Sequence, residues 1–81
     1  MQLATSISLW RVNLTDGRVV EVWADGYQTT GEHLLFGVLA DVPIDQQRDL
    51  RINGHTPGRP ERVIVELARF SAADVERVRG G

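Results

Sequence analysis

Apolar and polar residues alternate with a period of two from Trp10 to Ala24, broken only at Thr15-Asp16-Gly17. Trp10, Val12 and Leu14 precede the break and Val20, Val22 and Ala24 follow it, a pattern that predicts a β-hairpin. Two registers compete. A two-residue loop at Asp16-Gly17 sets Leu14 against Val19 and Val12 against Glu21, which puts a charge into the apolar row. A three-residue loop with Gly17 left-handed in a G1 bulge sets Val12 against Val20, Trp10 against Val22 and Arg11 against Glu21. The second register is the expected one. It keeps one face apolar near the turn and gives the other an opposite-charge pair, whereas a one-residue slip exchanges the faces of a whole strand.

Beyond the hairpin, Asp25-Gly26 marks a turn, 27–29 reads as a short extended piece, and Thr30-Gly31 turns into a third strand through Leu34, Phe36 and Val38. The alternation then dissolves. Residues 41–61 are polar and carry Pro43, Gly54, Pro57, Gly58 and Pro60, which predicts a long polar loop, with one or two helical turns over 43–50. Loops of that length in small domains tend to be functional or disordered. Alternation returns over 62–70, with Val63, Val65 and Leu67 on one face and Ile64, Ala68 and Phe70 on the other, so both faces are largely apolar. Ser71-Ala72-Ala73-Asp74 has the form of a capping box, and Val75 and Val78 have helical spacing before Gly80. A short C-terminal helical turn is expected, and a single 3-10 turn followed by a closing strand is its rival.

Composition narrows the class. Eighty-one residues make one small domain, 1–81, with a thin margin of stability. There is no cysteine, so neither a disulfide nor a thiolate metal site supports the fold. No run approaches the roughly 18 apolar residues of a membrane span, and the first ten residues lack the basic start of a secretory signal, so the expected location is cytoplasmic. Net charge is −2 with no basic half. All nine basic residues are arginine; with abundant Ala, Val, Gly and Asp this suggests a GC-rich coding genome, actinobacterial or from a phage of such a host.

Two segments carry a resemblance. The stretch Phe70-Ser71-Ala72-Ala73-Asp74-Val75-Glu76-Arg77-Val78 resembles the closing segment of SH3-like barrels, in which a strand runs into a 3-10 turn and a last strand. The aromatic strand, Asp16-Gly17, the Val-Glu-Val strand and Ala24-Asp25-Gly26-Tyr27 look like a group of short actinobacterial and actinophage β-meander proteins. The resemblance implies a small barrel or curled sheet and no activity. The acidic loop and paired tyrosines with which eukaryotic SH3 domains take proline-rich ligands have no match. The expected fold is mainly β, a small antiparallel meander or SH3-like barrel of about five strands with a short C-terminal helical turn.

The candidate chemistry is sparse. His33 and His55 share no ligand spacing, and a zinc site needs three or four ligands. His33 is expected to pair with Glu32 or serve a turn, and His55 to sit in one. Serines 6, 8 and 71 lack a nucleophile elbow, and with no lysine there is no P-loop. Asp41, Asp45 and Asp49 have helical spacing but no EF-hand pattern, and Asp45 is expected to pair with Arg48. No catalytic, metal or cofactor residue is assigned, and the chain is not expected to be an enzyme.

Binding residues are easier to nominate. Trp10 falls on the apolar face of the hairpin and is expected in the core. Trp23 falls on the other face with Leu9 and Val19. Exposed, these three make an apolar patch of the kind that marks a partner surface. The leading expectation is a noncatalytic protein-interaction module that binds through this face or through an open sheet edge, with self-association as a homodimer among its modes. The alternative is a nucleic-acid-binding small barrel that uses Arg48, Arg51, Arg59 and Arg62 of the long loop for phosphate. No membrane partner is expected.

Overall fold

The structure of the chain is a computed structural model and describes residues 7–81. The first hairpin joins β1 (Ser8–Leu14) to β2 (Val19–Ala24) in the second of the two registers: Arg11 faces Glu21, Val12 faces Val20 and Trp10 faces Val22. Gly17 lies at φ 93°, a conformation that a residue with a Cβ resists. Its N–H donates to the Leu14 carbonyl at 3.0 Å, and the Leu14 N–H donates to the Arg18 carbonyl at 2.8 Å. The Asp16 carboxylate accepts from the Arg18 backbone N–H and pairs with the Arg18 guanidinium, and these contacts hold its pKa below the usual value.

A single residue, Asp25, separates β2 from β3 (Gly26–Thr30), and the chain changes sheet there. The corner is pinned twice to β4 (His33–Asp41). The Asp25 N–H donates to the Gly37 carbonyl at 3.0 Å, and the Asp25 carboxylate accepts from the Leu39 N–H at 2.8 Å. β3 pairs with β4 and β4 with β6 (Arg59–Ser71); a 3-10 turn at Ala72–Asp74 then leads into β7 (Val75–Gly80), which pairs back onto β1. Walls formed by β1, the ribbon β2–β3, β4 and the ribbon β6–β7 therefore follow one another around a ring. The two antiparallel sheets, β2-β1-β7 and β3-β4-β6-β5, are its halves, with β5 (Ile52–Thr56) on the outer side of β6.

The ring encloses one core. Val12, Leu14, Val22, Ala24, Leu34 and Phe36 are buried, and Trp10, Val20, Ala68, Phe70, Val75 and Val78 pack against them. Trp10 takes its expected place: its ring meets Tyr27 at 5.3 Å and Phe36 at 6.0 Å, and its indole N–H donates to the Ala24 carbonyl at 3.1 Å. Phe36 in turn meets Tyr27 and Phe70. Edge-on aromatic packing of this kind adds to the burial of the rings.

Several expectations change in detail. The strands among the described residues number seven, not about five. Residues 41–61 are not a long loop. They hold α1 (Ile44–Gln47) and β5, tied down by bonds from the Gln47 amide to the carbonyls of Val42 and Pro60 and from the Val42 N–H to Glu61. β5 shows no alternation because it pairs on one side only and shifts register twice against β6. In β6 the phase changes at Leu67, where a bulge lets Phe36 face Ala68 and Gly37 face Glu66. Val63 and Val65 therefore share a face with Ala68 and Phe70, and Leu67 is exposed. The tail takes its 3-10 and strand form, and Ser71 makes no side-chain cap because the turn is only three residues long.

Candidate partner-binding face

The hairpin register and the β1–β7 register together fix the outer face of the three-stranded sheet. Leu9 stands beside Trp23; Arg11 stands between Glu21 and Arg79; Asn13 stands between Val19 and Arg77. Four of the five aromatic residues touch one another through their rings, with Tyr27 still 45 % exposed, and the fifth, Trp23, is 62 % exposed and makes no ring contact among the described residues. Val19, four residues earlier on β2, is 50 % exposed, and Leu9 is half-buried. The sequence-nominated trio thus lies on one surface, with Trp23 and Val19 at opposite ends of β2.

The polar members of this face were not foreseen beyond one pair. Arg11 meets Glu21 at 3.3 Å as expected. Arg77 and Arg79 are both exposed and make no ion pair among the described residues, so three guanidinium groups face one carboxylate. Their signal in the sequence is an i, i+2 arginine pair, which shares a face only if the tail closes as a strand and not as a helix.

The four nominated arginines of 48–62 do not form a phosphate-binding set. Arg62 is buried and its guanidinium meets Asp41 at 3.0 Å, because it lies within β6 opposite that residue. Arg51 reaches Glu66 at 3.7 Å. Only Arg48 and Arg59 are exposed without an ion pair among the described residues. The expected Asp45–Arg48 pair is absent there too. Glu66 is instead the centre of a small network: Arg69 donates to its carboxylate at 3.0 Å and Arg51 flanks it, which holds its pKa below the ordinary glutamate value.

The remaining candidates stay apart. His33 opens β4 opposite Ser71 and makes no ion pair with Glu32 among the described residues, and His55 is exposed as expected but lies in β5 opposite Val63 rather than in a turn. Ser6 lies outside the described residues. No group of three or more His, Cys, Asp or Glu side chains gathers among the described residues. A shallow, mainly apolar hollow of about 270 Å³ lies beside the Asp25 corner, lined by Leu35, Leu39, Asn53 and Ile64 among others. Its one carboxylate, Asp25, already serves the corner. Among the described residues no helix is long and apolar enough to cross a membrane. Compared with protein-family models, curated proteins and solved structures, the chain matches none.

Proposed function

We propose that this chain is a noncatalytic protein-interaction module that binds through the outer face of the sheet β2-β1-β7. The observation that carries the reading is Trp23. Exposing an indole forgoes a large hydrophobic gain, and tryptophan is among the residues that most often dominate a protein interface. Leu9 and Val19 extend the apolar surface, and the arginines supply the polar surround that such interfaces have. The nucleic-acid reading through Arg48, Arg51, Arg59 and Arg62 has weaker support, because two of the four are already paired with carboxylates.

Photo-crosslinking tests the proposal. Benzoylphenylalanine placed at position 23, and in a control at the exposed Asp16, is irradiated in cells that make the protein. A discrete protein adduct at 23 and not at 16 is expected. An adduct of twice the chain mass would identify self-association; identical patterns at the two positions would sink the proposal.

A further inference from the structure

Arginine on this face is placed in a particular way. Arg77 and Arg79 are alternate residues of β7, so their side chains project from the same face about 6.8 Å apart along the strand. β7 pairs with β1 on one side, and its other edge has no strand among the described residues. The Gly81 N–H donates to the Leu9 carbonyl, which makes Leu9 and Gly81 a hydrogen-bonded pair. The Leu14–Arg18 bond turns Trp10, Val12 and Leu14 toward β2, so Arg11 and Asn13 bond to Arg79 and Arg77 of β7, and Val78 between them directs its N–H and C=O outward. The edge therefore offers a backbone donor and acceptor, flanked on the outer face by two cations that make no ion pair among the described residues.

We infer that this edge receives an extended acidic segment of a partner protein, which adds as a strand beside β7 and sets alternate carboxylates against Arg77 and Arg79. Main-chain bonds supply the docking, and side-chain charge supplies the choice of segment. Cross-strand pairs of opposite charge stabilise such an arrangement and like charges oppose it. The same rule weighs against a second copy of this chain, since pairing β7 with β7 brings arginines against arginines. A single-stranded nucleic acid fits less well. It needs a basic track, and the other arginines without an ion pair among the described residues, Arg48 and Arg59, lie just after α1 and at the β5–β6 end of the other sheet. Glu76, in the bulge at the start of β7, limits the acidic stretch to the part of the segment beside Arg77 and Arg79. The inference rests on the protein-interaction reading and adds the chemistry of the partner.

The test is fluorescence anisotropy with a labelled peptide of alternating threonine and glutamate, against the same peptide with lysine for glutamate. The glutamate peptide should bind and weaken as salt rises. Arg77→Glu with Arg79→Glu should lower its affinity about ten-fold or more and transfer the preference to the lysine peptide. Arg77→Gln with Arg79→Gln should lose the acidic preference and gain none for lysine, and thermal melts confirm that both variants fold. Two further glutamate peptides are N-methylated on odd and on even residues. Strand addition requires that only one pattern abolish binding. Equal binding of glutamate and lysine peptides, no binding of either, indifference to charge reversal, or equal behaviour of the two methylated peptides overturns the inference. So does an oligothymidine that binds through the same arginines while the peptide does not. If crosslinking at position 23 still captures a protein, the module reading survives that failure.

Discussion

Trp10 and Trp23 stand on adjacent strands of one sheet, and the sheet sends them to opposite sides. Inside, Trp10 touches Tyr27 and Phe36 and donates its indole N–H to a backbone carbonyl. Outside, Trp23 makes no ring contact and no side-chain hydrogen bond among the described residues. The inner face is a continuous apolar surface, closed by residues from the opposite wall of the ring. The outer face mixes one large aromatic, two aliphatic residues and four charges. The same three strands thus divide their work by parity: one set of positions holds the fold and the other is free of that duty.

That division can be tested from its strongest consequence downward. Phe36→Ala empties the centre of the inner side and should cost about 3 to 5 kcal/mol, read by urea unfolding; a loss under about 1 kcal/mol would deny the core its centre. Gly17→Val attacks the device that sets which positions face which side. No atom crowds a Cβ there, so the cost is that of the left-handed backbone, about 1 to 2 kcal/mol in a thermal or chemical melt. A double-mutant cycle on Arg11 and Glu21 should return about 0.2 to 1 kcal/mol, the range of an exposed cross-strand pair, and less as salt rises. Trp23→Ala should change stability by no more than about 0.5 kcal/mol while it removes partner binding. A large loss of stability there would mean that the outer face also holds the fold.

How far the sequence revealed this depends on where regular alternation survives. The first hairpin was legible down to its register, since Asp16-Gly17 selects the turn and the misplaced Glu21 rejects the competing pairing. The Leu9, Val19 and Trp23 face followed from that register. β5 was hidden because Ile52-Asn53-Gly54-His55-Thr56 has neither alternation nor β-branched density, and what makes it a strand is pairing to β6. The tail was legible only as two alternatives, a helical turn or a 3-10 turn with a closing strand, and the structure takes the second. A bulge after Val75 inserts an extra residue, so Val75 faces Leu14 and Val78 faces Val12, and two residues three apart point into the same core. In sequence that spacing is the mark of a helix. Arg77 and Arg79 were overlooked with it, and half of the proposed site with them.

The ring has a consequence for the order in which the chain can fold. Its last seam joins Trp10 to Gly80, residues near opposite ends of the described chain. The hairpin β1–β2 needs only local encounters, but β1 keeps one side unsatisfied until β7 arrives, and a closure over that sequence distance carries the largest loop entropy in the molecule. Folding should therefore be slow for so short a chain, with its rate set by the final seam rather than by the hairpin. Until that seam forms, the exposed margin of β1 is open to any extended strand, the partner's included.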